Sequence, residues 1–121
     1  MAETGKIDSY HAHIYYDPEQ TKDTAAEIRE ALAEKFPGAV IGNWHDELVG
    51  PHLVSMYQVK FDVPLFPEIV PWLSLNRQGL SILVHPQTGE SKPDHTDYAM
   101  WMGERLATKF DLDEEKSSEK A

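Results

Sequence analysis

The 121-residue chain contains no cysteine, few basic residues and no long apolar run. Without cysteine it can form no disulfide, thiolate nucleophile, iron–sulfur cluster or Cys-ligated zinc site. Any bound metal must therefore be held by histidine and carboxylate side chains. The absence of cysteine is also compatible with a reducing compartment.

Positive charge is scarce as well. Eleven Lys and Arg residues stand against 21 Asp and Glu residues, which gives a formal net charge of −10. Nucleic-acid phosphates and anionic membrane surfaces attract clustered Lys and Arg, so we expect neither partner.

The N-terminus lacks the apolar stretch of a signal peptide. No apolar run approaches the roughly 20 residues of a membrane span. We expect a soluble cytoplasmic protein.

Four segments have the composition and the period of β-strands. They are rich in Tyr, Ile, Val, Leu and His, and Pro, Gly or Asp residues separate them from the neighbouring segments. The predicted strands are Ser9–Tyr16, Val40–Trp44, Leu53–Phe61 and Leu80–His85.

Helical spacing of apolar residues occurs between these strands. The first stripe ends at Pro37-Gly38 and consists of Ala25, Ile28, Leu32 and Phe36. The second ends at Gly79 and consists of Phe66, Ile69, Val70 and Leu73. Pro71 predicts that this second helix is kinked or begins late. The segment Asp94–Trp101 predicts a short helix for which Asp94 is a candidate N-cap.

The order of the elements predicts an α+β, ferredoxin-like fold. The order β-α-β-β-α-β is typical of an antiparallel sheet that carries both helices on one face. We expect the strand order 4-1-3-2, with strands 1 and 3 parallel and strand 4 antiparallel to strand 1. A single domain with a C-terminal extension is predicted over residues 1–110. Residues 111–121 are predicted to form a disordered acidic tail.

The predicted strands present several histidines on the helix-free face of the sheet. Period-two alternation turns His11 and His13 of strand 1 away from the helices, and it does the same for His52 and His85. We expect them to meet at one end of the sheet. Neutral imidazoles that converge on an open face suit a transition metal with N and O ligands. We therefore predict His13, His52 and His85 as metal ligands.

Proton transfer needs a further group near the metal. His95 follows Asp94 at the start of the last predicted helix. The positive end of that helix favours a neutral imidazole, which is suited to act as a general base. We predict that His95, or else His11, carries protons during catalysis. Arg77 and Lys60 are candidate partners for a substrate carboxylate.

Signatures of several other enzyme classes are missing from the sequence. It has no Gly-rich phosphate loop, no Gly-x-Ser-x-Gly and no His-Glu-x-x-His. The segments His11-Ala12-His13 and His85-Pro86-Gln87 do not supply the His-x-Ser/Thr pair of two-histidine phosphodiesterases.

Four segments within residues 7–105 carry a more specific pattern. Two of them contain His-Pro-x-Thr-Gly and Asp-His-x(5)-Trp-Met-Gly, and the full set is Tyr10–Tyr16, Gly50-Pro51-His52, Leu83–Gly89 and Asp94–Gly103. Together they resemble the DOPA 4,5-dioxygenase family of aromatic ring-cleaving enzymes. The resemblance implies a small ferredoxin-like protein, commonly dimeric. It also implies extradiol cleavage of a catechol such as L-DOPA, with non-haem iron(II) and O₂.

The predicted ligands depart from the usual extradiol site, which presents two histidines and one carboxylate. The strands offer no such carboxylate. Either Glu104, Asp94 or Asp97 completes the set, or the site is all-histidine. Two other functions also stay open: a metal-free dimeric α+β monooxygenase, and a non-catalytic module that binds a small molecule or a metal.

The helix-free face also bears on assembly. With helices on one side only, the sheet is expected to expose Val54, Met56 and Leu83 on the other. An exposed apolar patch of this kind predicts a two-fold homodimer that covers it.

Overall fold

The computed structural model describes residues 1–113. Residues 114–121, which make up most of the predicted acidic tail, lie outside the described residues. Residues 109–113 are helical, so regular structure continues past residue 110, where the domain was predicted to end. None of the helices within residues 1–113 has the length and the apolar character needed to cross a bilayer.

A five-stranded sheet has the spatial order β2-β3-β1-β4-β5. Its strands are β1 (Ser9–Tyr15), β2 (Val40–Ile41), β3 (Met56–Asp62), β4 (Ile82–Pro86) and β5 (Met100–Met102). Every pairing is antiparallel. The α+β fold class and the order of the first four strands are confirmed. The expected parallel pairing of β1 with β3 is wrong.

The direction of β2 explains this difference. Strands β1 and β2 are both antiparallel to β3, so they run parallel to each other. Helix α1 (Lys22–Lys35) is therefore the crossover that parallel strands require. The chain then reverses after the two-residue β2 and enters β3 against the direction of β1.

Two helices cover one face of the sheet. These are α1 and α2 (Phe66–Asn76), and short 3₁₀ turns occur at Thr4–Lys6 and Val63–Leu65. The predicted stripe of α1 is buried as expected: Ala25, Ile28, Leu32 and Phe36. It packs against inward side chains of the strands, among them Ala12, Ile14, Tyr57, Val59 and Ile82. Each fully buried aliphatic or aromatic side chain contributes about 1.5–3 kcal/mol to this packing.

The chain after β4 differs from the prediction. Helix α3 spans only Ser91–His95, and Met100–Met102 forms the edge strand β5 instead of continuing a helix. Pairing with β5 satisfies backbone groups of β4 that would otherwise form an open edge. Asp94 lies inside α3 and is not its N-cap. His95 ends the helix, so it lies at the negative end of the helix dipole and not at the predicted positive end.

The helix-free face of the sheet is partly covered by the chain itself. Met56 and Leu83 are buried there with Tyr15 in a second apolar cluster. Their partners come from the loop before β3 and from the C-terminal region: Val49, Val54, Ala99, Trp101 and Leu106. The predicted exposure of Met56 and Leu83 is therefore wrong. The homodimer stays a prediction, but the exposure of these two side chains no longer supports it. Sedimentation velocity at micromolar concentration tests it.

Candidate metal centre

Five of the six histidines converge on the helix-free face. His11 and His13 come from β1, and His85 comes from β4, where it lies directly opposite His11. His52 comes from the loop before β3, and His95 comes from the end of α3. Ring centroids of neighbouring histidines lie between 4.2 and 6.0 Å apart. The structure thus brings together all five histidines that the sequence singled out.

The cluster lies over the centre of β1 and not at one end of the sheet. The prediction placed His52 at the start of a strand parallel to β1. However, β3 begins only at Met56 and runs antiparallel, so His52 belongs to loop 49–55. The loop brings His52 over the helix-free face, where its Nδ1 lies 2.7 Å from the Tyr15 hydroxyl.

An open cavity of about 480 Å³ adjoins the cluster. Four of the five histidines line it, together with the sixth: His11, His13, His52, His95 and His45. His85 does not line the cavity and is fully buried. A cavity of about 150 Å³ is enough to hold benzene, so this one has room for a substituted aromatic ring.

Burial keeps four histidines of the cluster neutral: His11, His13, His52 and His85. It lowers the pKa of His11, His52 and His85 to about 4. It lowers the pKa of His13 well below the usual value for histidine. Neighbouring imidazoles add to the effect, because each disfavours a positive charge on the others. Metals bind the neutral imidazole, so at neutral pH these side chains need not lose a proton first.

Two groups of three histidines have ligand atoms close enough to share one metal ion. The ligand atoms of His11, His13 and His85 lie within 4.8 Å of one another. The same holds for those of His13, His52 and His95. His13 belongs to both groups. The predicted ligands His13, His52 and His85 are therefore divided between the two.

No carboxylate belongs to either group within residues 1–113. Asp94 is buried, but its oxygens accept hydrogen bonds from the Thr88 N–H at 3.1 Å and the Thr88 hydroxyl at 2.6 Å. Asp97 and Glu104 are exposed. Of the alternatives that the sequence left open, the structure favours an all-histidine site.

Hydrogen bonds determine which nitrogen of His13 is free. The Nδ1–H of His85 donates to the Pro86 carbonyl at 2.9 Å, so Nε2 of His85 carries a lone pair. That atom lies 3.0 Å from Nε2 of His13, which is therefore the donor. The lone pair of His13 is then on Nδ1, which is buried and has no hydrogen-bond partner.

In His52 and His95, the other two members of the second group, hydrogen bonds engage Nδ1 and leave Nε2 available. The Nδ1–H of His95 donates to the Ser91 carbonyl at 2.7 Å, and the Tyr15 contact occupies Nδ1 of His52. Partners of this kind typically orient metal-binding histidines. An unpartnered buried nitrogen such as Nδ1 of His13 costs about 1–3 kcal/mol, which a metal ion would offset. The donor set fits a divalent transition metal.

Some features of the site were not predicted from the sequence. His45 exchanges two backbone hydrogen bonds with Met56, which places it at the cavity. A lone histidine in a loop carries no spacing signal that could have shown this. Of the candidate carboxylate partners, Arg77 donates to the Leu80 carbonyl and does not line the cavity. Lys60 does not line the cavity either, but it lies opposite His11 in the register of β1 and β3.

Known proteins resemble this chain over most of its length. Residues 10–112 match the Dopa 4,5-dioxygenase family. A DOPA 4,5-dioxygenase from Amanita muscaria is 30% identical over 81% of the chain, and the chain spans 46% of that protein. An uncharacterized 21.2 kDa protein from Botryotinia fuckeliana is 36% identical over 98% of the chain and 70% of its own length.

A solved structure is also similar. The crystal structure of a candidate dioxygenase from Nostoc punctiforme is 43% identical and has a TM-score of 0.87. The match covers 95% of this chain and 98% of that chain. With the histidine centre, the fold and these sequence matches in agreement, the chain belongs to the Dopa 4,5-dioxygenase family.

Proposed function

We propose that this protein is a non-haem iron(II) dioxygenase that opens a catechol ring by extradiol cleavage, with L-DOPA as the model substrate. The observation that carries the proposal is a group of three histidines, His13, His52 and His95, at the wall of a cavity in a member of this family. Catechol and O₂ combine in this reaction without any other reductant, and both oxygen atoms enter the product.

We assign the metal to His13, His52 and His95. All three line the cavity, whereas His85 does not. The ligand atoms are Nδ1 of His13 and Nε2 of the other two. His85 then acts by holding His13 in its Nε2–H tautomer. This differs from the prediction that His85 is a ligand and that His95 transfers protons.

Bound iron(II) would lower the pKa of the catechol hydroxyls and bring the ring and O₂ together at one centre. His11 lines the cavity beside this group and is neutral near pH 7, because burial lowers its pKa to about 4. A neutral ring nitrogen of His11 can accept a proton from a catechol hydroxyl. The role in proton transfer that the sequence suggested for either His95 or His11 is therefore assigned to His11.

Lys60 is the proposed partner of a substrate carboxylate. It lies opposite His11 on the neighbouring strand, and its side chain is exposed. The two side chains are cross-strand neighbours, and the positive charge of Lys60 contributes to the lowered pKa of His11. A catechol with an acidic side chain can thus direct its carboxylate towards Lys60 while its hydroxyls lie near the histidines.

Anaerobic loading with iron(II), followed by L-DOPA and O₂, tests the proposed function. We expect a yellow ring-opened product and consumption of equal amounts of catechol and O₂. Hydroquinone is the matched control, because its hydroxyls are not adjacent and it should not react. Oxidation of phenols by metal-free protein would instead favour the monooxygenase. An iron-loaded protein that is inert towards every catechol would favour a binding module.

A further inference from the structure

We propose that residues 105–113, the C-terminal clasp, hold His52 and His95 in place and so complete the metal site. The inference rests on the proposed function, since these residues are two of the three proposed ligands. Neither lies on a strand: His52 is in loop 49–55, and His95 ends a five-residue helix. In contrast, His13 lies on β1, which is paired on both sides.

Backbone hydrogen bonds join the clasp to the loop that carries His52. His52 and Thr108 form an antiparallel bridge, and Thr108 is buried. The N–H of Lys109 donates to the Pro51 carbonyl at 2.8 Å. These contacts hold the loop immediately beside His52, whose ring makes a side-chain hydrogen bond with Tyr15. The loop cannot leave this position without breaking them.

The C-terminal clasp also contacts His95, the other proposed ligand. The ring centroid of Phe110 lies 6.0 Å from that of His95, and Phe110 is half-buried. A few consecutive residues therefore contact His52 and His95, which come from distant parts of the sequence. The clasp fixes the position of one relative to the other.

Asp111 maintains the shape of the clasp. Its carboxylate accepts hydrogen bonds from the Thr108 N–H at 2.8 Å and from the Arg105 guanidinium at 2.6 Å. Thr108 precedes the helical residues 109–113 as N-cap, and Asp111 is the third of them. A hydrogen bond from the N-cap N–H to this side chain is one half of a capping box. The sequence placed Asp111 in the tail, so this role was not predicted.

Cobalt(II) titration of metal-depleted Asp111→Ala tests the clasp, because the visible spectrum of cobalt(II) reports its coordination. We expect binding about tenfold weaker or more, as for other losses of support around ligands, together with an altered spectrum. Asp111→Glu should keep the wild-type cobalt(II) affinity and spectrum, since glutamate is a usual residue at this capping position. Removal of residues 114–121 should change neither the affinity nor the spectrum. Asp111→Ala with wild-type affinity and spectrum would overturn the clasp.

Imidazole ¹⁵N chemical shifts of the metal-free protein separate this proposal from the proposed function. Asp111→Ala should shift the ring ¹⁵N signals of His52 and His95 but leave His85 in the same tautomer, because Pro86 holds that ring from β4. If Asp111→Ala fails to fold, Phe110→Leu provides the same measurement at His95. The ring signals could shift in Asp111→Ala while the wild-type protein binds no cobalt(II). That result would support the clasp and overturn the proposed metal function. Unchanged shifts in the variant would overturn the clasp.

Discussion

Nε2 of His13 and Nε2 of His85 lie 3.0 Å apart across the paired strands β1 and β4. The Pro86 carbonyl fixes the proton of His85 on Nδ1, and this contact in turn fixes the proton of His13 on Nε2. A main-chain carbonyl thereby determines which nitrogen of His13 is free to bind a metal. His85 can control the site without contacting the metal.

Substitution of these two histidines should have different effects on metal content. His13→Ala removes the ligand that both histidine groups share, so we expect no stoichiometric iron after anaerobic reconstitution. His85→Ala should retain the site with affinity reduced by about 10–100-fold, the usual effect of losing an orienting partner. Elemental analysis and cobalt(II) titration measure both. If His85→Ala empties the site while His95→Ala does not, the ligands are His11, His13 and His85.

His11 is expected to affect turnover and not metal content. In His11→Gln the proposed proton acceptor is lost while all three proposed ligands remain. General acid–base groups contribute about 10²–10⁴-fold, so kcat should fall within that range. His95→Gln is the matched comparison and should lose iron. Wild-type kcat in iron-loaded His11→Gln would refute its role in proton transfer.

Lys60 should matter only for substrates that carry a carboxylate. The side chain is exposed, and such an ion pair contributes about 1 kcal/mol or less. Lys60→Met should therefore raise KM for L-DOPA by up to about fivefold. KM for 4-methylcatechol, which lacks the carboxylate, should not change. Equal increases for both substrates would show that Lys60 acts on the ring or on His11 instead.

Asp94 is expected to stabilise the fold rather than bind the metal. Asp94→Ala leaves the N–H and the hydroxyl of Thr88 without their acceptor, at a cost of about 1–3 kcal/mol in the free energy of unfolding. Urea denaturation measures this cost. Asp97→Ala, at an exposed position nearby, should stay within about 0.5 kcal/mol of the wild type. An Asp94→Ala protein of wild-type stability would contradict the assignment.

The metal-free protein should lose stability as the pH falls through mildly acidic values. His11, His52 and His85 have pKa values of about 4 in the folded state, below the value of about 6.5 expected in the unfolded chain. Between these values the unfolded state binds more protons, so the free energy of unfolding is largest above pH 6.5 and declines towards pH 4.

Each of these histidines contributes at most about 1.4 kcal/mol per pH unit to that slope. Denaturant unfolding at a series of pH values measures it. The double variant His52→Gln/His85→Gln should show a shallower dependence than the wild type. A free energy of unfolding that is flat over this range would contradict the burial of neutral histidines.

The face on which the histidines lie was predictable, because strand alternation requires no knowledge of the neighbouring strands. His11, His13 and His85 follow that rule. The direction of β3 was not predictable in this way, since it depends on a two-residue strand and on loop 42–55, whose course is set by tertiary contacts. His52 reaches the predicted face from that loop and not from a strand.

The C-terminal region shows the limit of local patterns more clearly. Met100–Met102 follows a helical segment closely and has no strand signal of its own. Pairing with the open edge of β4 decides its conformation. Similarly, Asp111 belongs to an acidic stretch that is typical of a solvated tail. Its hydrogen bonds to Thr108 and Arg105 become evident only when the chain is folded.

The absence of a carboxylate from the histidine groups has an electrostatic consequence. Three neutral ligands would leave iron(II) with its full double positive charge, whereas a carboxylate would cancel half of it. The uncancelled charge would attract anions more strongly, so a catechol that has lost both hydroxyl protons would be the favoured ligand. It also makes removal of a further electron from the metal more difficult. With iron(II) bound as proposed, an all-histidine site would therefore select for acidic diols and would resist oxidation of the resting ion by air.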